Sequence, residues 1–358
     1  SLRCLIPRTS KYHSDVFGSL GYHAAMKNSP NIKTYGYKRL KGSFKCFITL
    51  GILFGYQGCH NLFAWGFEPH KLINQQACLI LPEPLFGFYK SHISYMVQHA
   101  TDPDMRRYID SNEAGKHYID MEHYGNNIDS LPFAYNLALS KFGEDHLHKE
   151  GNLPWNIIRH VYLLKKAFSE GNTGFILKIS ADLGHYVADA HVPLHTTENY
   201  NGQLTGQTGI HGLWETQIPK LFMDTLLVPI PNFQFEENWK TWIWETIEES
   251  HSLVPMVLSQ EKETKLNMSE AERYTFELKN KQPEKTFSRK YLEYYHKALK
   301  GSVEMRYIAS AQLTAKLIYT AWILAGEPPL NSKVKTEYTQ NTQSSNPKIS
   351  SEEIDCNH

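Results

Sequence analysis

The sequence has little of what marks several large protein classes. Its five cysteines, among 358 residues, have neither zinc-binding spacing nor the pattern of a disulfide framework. Basic and acidic residues balance at 37 each, so the chain lacks the basic footprint that proteins binding duplex nucleic acid usually carry. It shows no internal repeat and no apolar run long enough to form a stable membrane anchor.

The residues that are present favour helices. With 41% hydrophobic residues, the chain can form one large domain or two small ones around a sizeable core. Apolar residues recur at helical spacing, and strand-like alternation does not persist, so we predict an all-α fold with a single multi-helix domain. The predicted helices cover 68–81, 83–100, 153–170, 173–191, 234–258 and 290–324, the last bent near Gly301, with an exposed irregular insertion at 260–288.

The N-terminal segment predicts a removable leader. Residues 1–44 lack periodicity and are expected to be disordered or an artefact of the gene model. Met26 is a candidate start, in which case the residues before it do not belong to the natural chain. Residues 45–64 combine a basic flank, a short apolar core and a final Ala64, the pattern of a signal peptide. A buried helix is the alternative, and a lipoprotein signal would rest on Cys59 alone. We therefore expect a secreted or periplasmic protein.

Cleavage after Ala64 would expose Trp65 as the first residue of the mature chain. A free α-amine has an ordinary pKa near 8 and can coordinate zinc once deprotonated. His70 follows five residues later, at the opening of the first predicted helix. The functional domain then spans 65–327, and the Ser-, Thr-, Asn- and Lys-rich residues 328–358 predict a disordered tail.

Two histidine–carboxylate pairs dominate the middle of the chain. His185 precedes Asp189 by four residues, and His211 precedes Glu215 by the same distance. On an α-helix, residues four apart lie above one another on one face, about 5.4 Å apart along the axis. Each pair can therefore bind a single cation, and imidazole with carboxylate but without thiolate favours zinc.

A further candidate ligand, His195, lies between these pairs. Pro193 predicts that the first helix ends near Ala190, because the residue before a proline is disfavoured in the α region. His195 would then lie on the exit turn, facing the helix that carries His185. His191 is the less favoured histidine of this stretch.

Two more candidates lie upstream. Asp102 and His117 are the carboxylate and imidazole that we recruit to the site from this region. The residues alone leave their competitors open, namely Asp104, Asp120, Glu122 and His123. An Asp-Pro-Asp sequence is most often a turn or a helix boundary, so its two carboxylates are not distinguished by pattern.

In these motifs the sequence resembles the superfamily of bacterial zinc-dependent phospholipases C and single-strand-specific zinc nucleases (the S-one/P-one type). The histidine–aspartate–proline–histidine motif runs from His185 to His195, and the second motif joins His211 to Glu215. A Trp followed by His five residues on, and an Asp about fifteen residues before a His-Tyr-Ile-Asp segment, complete the resemblance. It covers most of residues 65–325.

The resemblance implies three zinc ions in an all-α cleft. One zinc would take Asp102, His117, His185 and Asp189; a second the Trp65 amine and carbonyl, His70 and the shared Asp189; a third His195, His211 and Glu215. It also implies that Asp120 assists activation of the attacking water. The expected reaction is hydrolysis of a phosphodiester by a zinc-activated hydroxide.

The substrate branch is left open by the motifs, with a lean to phospholipase C. Three features resemble the phospholipases: Glu215 as the last ligand, the short loop before His211, and an acid at Glu68. In that branch an acid at this position would hold a cationic head group. Two other features resemble the nucleases: the spacing from Trp65 to His70, and the Tyr118-Ile119-Asp120 segment. In that branch the aromatic ring at Tyr118 would stack on a base. The paired cysteines of eukaryotic nucleases are absent, which favours a bacterial secreted protein.

The expected partner is therefore a phosphodiester substrate, either a phospholipid or a single-stranded nucleic acid. No stable protein partner is implied, and a transient contact with a membrane surface is compatible with the lipid branch. A non-catalytic zinc-stabilised binding protein is the alternative from another class.

Overall fold

The computed structural model describes residues 67–125, 128–223, 225–279 and 282–330. All of them fall within one unit of the chain, Cys59–His358. The predicted extension at 1–44, the predicted signal peptide at 45–64, Trp65 and residues 331–358 of the predicted tail lie outside the described residues.

The described segments contain fourteen α-helices and one pair of strands. The helices are α1 (Phe67–Leu79), α2 (Leu85–Ser91), α3 (Ile93–Gln98), α4 (Asp102–Arg106), α5 (Tyr135–Phe142), α6 (Glu144–Lys149), α7 (Leu153–Ser169), α8 (Thr173–Ala190), α9 (Ile210–Gly212), α10 (Ile218–Phe222), α11 (Lys240–Leu266), α12 (Glu270–Arg273), α13 (Arg289–Ala298) and α14 (Ser302–Leu324). The strands are β1 (Tyr274–Lys279) and β2 (Gln282–Phe287), which pair antiparallel. The all-α prediction is confirmed, with this hairpin as the exception.

Helix α8 is the central element, packed against α7, α1 and α14. The Asn172 side chain caps its N-terminus by accepting a hydrogen bond from the Phe175 amide at 3.0 Å. The helix ends at Ala190, as Pro193 predicts, and its residues from Ile179 onward are all buried. A helix that is apolar on every face is typical of a protein core. The polar residues of this stretch, His185 and Asp189 among them, are therefore held inside the core.

Gly184 allows the close approach of α8 to its neighbours. A Cβ atom at this position would lie 1.9 Å from Asn74 Oδ1 on α1 and 3.2 Å from the Thr314 methyl group on α14. Asn74 cannot easily move, because its Nδ2 donates hydrogen bonds to the carbonyls of Ala181 and Met96. The absence of a side chain at Gly184 thus sets the position of the neighbouring His185.

We expect Gly184→Ala to lower the free energy of unfolding by about 1–3 kcal/mol, because the added methyl group overpacks this contact. Gly174→Ala, in the first turn of the same helix, is the matched control, since its Cβ would meet its nearest neighbour at 3.8 Å. Denaturant unfolding measures both variants. Equal stability of the two variants would show that the contact at Gly184 tolerates a methyl group.

Several helix boundaries differ from the predicted ones. The predicted helix at 83–100 is two helices, α2 and α3, which meet at His92. Helix α11 begins six residues later than predicted and ends eight residues later, and it contains Pro255 in its interior. The predicted irregular insertion at 260–288 therefore holds the end of α11, α12 and the hairpin. The predicted bend near Gly301 is confirmed, because this residue has φ of 79° and separates α13 from α14.

The described helices include none with the length and apolar character needed to cross a bilayer.

Candidate metal centre

Three groups of buried histidines and carboxylates lie close enough to share cations. In each group the candidate ligand atoms lie within 4.8 Å of one another. The groups are His70, His185 and Asp189; Asp104, His117 and His185; and His195, His211 and Glu215. The first two share His185, so they form one continuous centre built from α1, α4, α8 and the turn that carries His117.

Asp189 joins the two halves of this centre. Its Oδ2 atom lies 2.9 Å from His117 Nδ1 and 3.4 Å from His185 Nε2, while its Oδ1 atom lies 3.6 Å from His70 Nε2. The His70 ring stacks on the His185 ring, with centroids 4.1 Å apart. The two carboxylate oxygens therefore face different imidazoles, which is the geometry of a bridging ligand.

Asp104, and not Asp102, lies in this centre. Its Oδ1 atom is 3.8 Å from His185 Nε2 and 3.9 Å from His117 Nδ1, and its side chain is only 6% exposed. The Asp102 side chain is 46% exposed and instead lies 2.7 Å from His99 Nδ1. The geometry therefore favours Asp104 over Asp102 as the ligand from this segment.

In the third group, His211 and Glu215 lie on the helical segment that runs from α9 to α10, and His195 lies on the 3₁₀ turn at Pro193–Thr196 that follows α8. His211 Nε2 is 2.6 Å from Glu215 Oε2, and His195 Nε2 is 3.4 Å from Glu215 Oε1. The turn at Leu213–Gln217 is a π-helix, a feature frequent at functional sites. The wider turn still leaves His211 and Glu215 on one face, as their spacing predicts.

Backbone carbonyls orient three of the histidines. The Nδ1 atoms of His185, His195 and His211 donate to the carbonyls of Ala100, His117 and Tyr200, respectively. Each hydrogen bond fixes the ring so that Nε2, without a proton, points toward its group. This is the usual arrangement of imidazoles that bind metals.

The buried atoms of these groups fit a bound cation. Besides His117 Nε2, eight nitrogen and oxygen atoms of these groups make no hydrogen bond within the described structure: both ring nitrogens of His70, both oxygens of Asp104, both oxygens of Glu215, Asp189 Oδ1 and His195 Nε2. Unsatisfied buried polar groups are costly and rare in proteins. A divalent ion would satisfy most of them at once, and imidazole with carboxylate oxygen is a donor set that zinc accepts.

Burial sets the protonation of the centre in the absence of a cation. It lowers the pKa of His70 to about 3 and that of His117 to about 4. It raises the pKa of Asp104 to about 7 and that of Asp189 well above its ordinary value. Burial also acts to raise the pKa of Glu215, but the nearby His211 and His195 outweigh it and bring the value to about 2. The centre thus holds neutral imidazoles ready to coordinate.

Arg107 is a functional candidate that the sequence reasoning missed. Its Nη1 atom lies 3.6 Å from Asp104 Oδ1, and the side chain is 22% exposed. A guanidinium group at the edge of the centre can bind an anionic oxygen of a substrate. The sequence does carry one signal for it. Arg107 is a basic residue three positions after Asp104, a spacing that makes the two side chains neighbours on a helical turn.

Asp120 and Tyr118 lie beside the centre on the segment that follows His117. The Asp120 amide donates to the Glu150 carbonyl, and burial, together with Glu122 and Glu150, raises the Asp120 pKa to about 7. The Tyr118 hydroxyl donates to the Lys149 carbonyl at 2.7 Å, and burial raises its pKa to about 12.

Glu68 has a different environment from the other predicted residues. Its side chain is 64% exposed and pairs with Lys71 at 2.9 Å, one turn along α1. The structure does not bring it into any of the three groups.

The family model for zinc dependent phospholipase C matches residues 69–300 of the chain. The matched segment contains every described candidate ligand, from His70 to Glu215. No curated protein matches the chain.

Proposed function

We propose, from the premise that this chain belongs to the zinc-dependent phospholipase C family, that its substrate is a phospholipid. Family membership makes the protein a zinc-dependent hydrolase of phosphoric ester bonds. The observation that carries the proposal is the match itself, which covers the three buried histidine–carboxylate groups. Glu215 as the last ligand also supports the lipid branch.

We assign three zinc ions to the centre. The first would be held by Asp104, His117, His185 and Asp189; the second by His70, Asp189 and Trp65; the third by His195, His211 and Glu215. Trp65 comes from the resemblance alone, since it lies outside the described residues. When bound, zinc ions of such a centre lower the pKa of water to about 7 and polarise phosphoryl oxygens.

The protein's own side chains then position the substrate and accept a proton. Arg107, at the edge of the centre, would contact a non-bridging oxygen of the phosphodiester and orient the phosphorus. Asp120 would accept the proton of the attacking water, because a carboxylate with a pKa of about 7 suits a general base at neutral pH. The backbone carbonyls of Ala100, His117 and Tyr200 keep the rings of His185, His195 and His211 fixed.

Asp120→Asn should lower kcat by about 10²–10⁴-fold, the usual contribution of a general base, with zinc content unchanged. In the wild type, activity should fall as the pH drops through about 7, because protonated Asp120 cannot accept a proton. The variant should lose this dependence. The exposed Asp145→Asn in α6 is the control, and the measurements are pH–rate profiles with elemental analysis.

If Asp120→Asn keeps wild-type turnover and the same pH profile, Asp120 is not the base. If the variant loses zinc as well as activity, its role lies in assembling the centre.

A substrate panel tests the proposed function. We expect hydrolysis of a short-chain phosphatidylcholine to exceed that of single-stranded DNA, with zinc bound. Faster cleavage of DNA would favour the nuclease alternative, which the Tyr118–Asp120 segment resembles. Bound zinc without hydrolysis of the lipid, the DNA or an aryl phosphodiester would favour the binding protein.

The same panel tests two finer expectations. Faster hydrolysis of the lipid in vesicles than as monomers would support the predicted contact with a membrane surface. Glu68 remains our candidate for holding a cationic head group. Glu68→Gln should then raise KM for a choline lipid and leave KM for a glycerol lipid unchanged.

We further propose that the protein is secreted or periplasmic and that residues 45–64 are removed. Sequencing the N-terminus of protein recovered outside the cytoplasm tests this, with Trp65 expected first. A chain that retains these residues could not present the Trp65 amine to a metal.

A further inference from the structure

A buried carboxylate outside the ligand groups faces His117. The Glu113 side chain is 1% exposed, and its Oε1 atom lies 3.8 Å from His117 Nε2. The short 3₁₀ turn at Ala114–Lys116 folds the chain so that these two residues, four apart, face each other. No other carboxylate of the described structure is shown facing this nitrogen.

His117 differs from the other oriented histidines. His185, His195 and His211 direct Nε2 toward the metal groups and give Nδ1 to a backbone carbonyl. His117 instead directs Nδ1 toward Asp189, 2.9 Å away, so its Nε2 points out of the centre. That buried Nε2 makes no hydrogen bond within the described structure. With Nδ1 on a metal, Nε2 must carry the proton, and Glu113 is the acceptor that it faces.

Cationic neighbours keep Glu113 in place. Arg106 Nη2 lies 3.3 Å from its Oε1 atom, and Lys116 Nζ lies 2.6 Å from its Oε2 atom. Arg106 also pairs with Asp182 on α8 at 3.1 Å. The Tyr186 hydroxyl donates to Glu113 as well. The carboxylate is thus fixed between α4, the 3₁₀ turn and α8, the helix that carries His185.

We propose that Glu113 is a positioning residue for zinc binding at His117. With zinc bound, Glu113 would accept a hydrogen bond from the His117 Nε2–H group once the 3.8 Å separation shortens, and would hold Nδ1 toward an ion at Asp104, His185 and Asp189. This hydrogen bond would also raise the basicity of Nδ1. Carboxylates in this role typically change metal affinity by about 10–100-fold. The proposal rests on zinc ligation by His117 in the proposed function.

The test is a zinc titration of purified protein against a chelating indicator. Glu113→Gln should weaken binding of one ion by about 10–100-fold and leave the other ions at wild-type affinity. Saturating zinc should restore much of the activity. Asp182→Asn is the matched control, because it removes another buried carboxylate from Arg106 without facing His117. It should leave zinc affinity unchanged.

A purely structural role predicts a different pattern. Glu113→Gln and Asp182→Asn would then lower the melting temperature of the zinc-free protein equally, with both retaining wild-type zinc affinity, and the proposal would be overturned. Should Glu113→Gln not fold, Glu113→Asp decides. The shorter side chain withdraws the carboxylate from His117, so wild-type zinc affinity in that variant would also overturn the proposal. A wild-type protein that binds no zinc would refute the proposed function instead.

Discussion

Asp104→Asn is expected to remove zinc from the centre and lower hydrolysis by at least about 10³-fold, the several kcal/mol that a catalytic metal supplies. The amide is a poor zinc ligand, yet it has nearly the same size as the carboxylate. The buried Asp104 faces His117 and His185, so this substitution acts on the centre directly. Elemental analysis and turnover of a soluble phosphodiester measure the effect.

Asp102→Asn is the control that the chain itself provides. It changes the same atoms two residues earlier, on an exposed side chain that pairs with His99. We expect its zinc content and turnover to match the wild type, with a stability change below about 1 kcal/mol, as for other exposed ion pairs. If Asp102→Asn loses zinc and Asp104→Asn does not, the assignment from the resemblance is restored.

The contrast between these aspartates shows which ligands the sequence can predict and which depend on tertiary packing. His185 with Asp189, and His211 with Glu215, could be proposed from spacing, because a four-residue step fixes the relative position of two side chains on a helix. Helix α4 has five residues, too few for a periodic apolar pattern to show which face is buried. The inward direction of Asp104 therefore emerges only from the packing of α4 against α8.

Two other features, the role of Glu113 and the β-hairpin, were not predicted from the sequence for related reasons. Glu113 is a buried charge in a segment without apolar periodicity, and its environment depends on residues from α4 and α8 that are distant in sequence. The hairpin did carry a signal, since Tyr274, Phe276 and Leu278 alternate with polar residues in β1. Six residues in charged surroundings are a weak pattern, and both strands are largely exposed, so no core contact reinforces it.

Helices α7 and α8 were predictable because their burial is one-sided or complete. Helices α7 and α8 begin and end within one residue of the predicted bounds, as expected for strongly apolar segments with Asn172 and Pro193 at their boundaries. The packing of α8 in the core holds His185 and Asp189 inside it. A bound cation would offset the free-energy cost of burying these two polar side chains.

Removal of zinc should lower the melting temperature by about 8–16 °C. A ligand at 1,000 times its dissociation constant stabilises the folded state by about 4 kcal/mol. In a domain of this size, each kcal/mol corresponds to about 2–4 °C in melting temperature. Calorimetry of protein treated with a chelator, before and after zinc is restored, measures the shift.

The zinc-dependent shift should be larger at pH 8 than at pH 6. In zinc-free protein the pKa values of His70, about 3, and His117, about 4, lie below the ordinary 6.5, so these residues cost stability only as the pH falls below that value. The pKa of Asp104 is raised to about 7 and that of Asp189 is also raised, so the folded state retains protons that the unfolded chain releases. The stability that the protonated Asp104 carboxyl contributes to the zinc-free protein is therefore lost as the pH rises through about 7, and the raised pKa of Asp189 acts in the same direction.

Zinc reverses this dependence, because it binds the ionised carboxylates and the proton on Asp104 or Asp189 must leave. Zinc affinity thus rises over the same pH range in which the zinc-free protein weakens. Asp120 also has a pKa near 7, but as it is not a proposed ligand, it should contribute similarly with and without zinc and largely cancel in the difference. A shift that is equal at both pH values, or larger at pH 6, would mean that the buried carboxylates are already ionised without a metal.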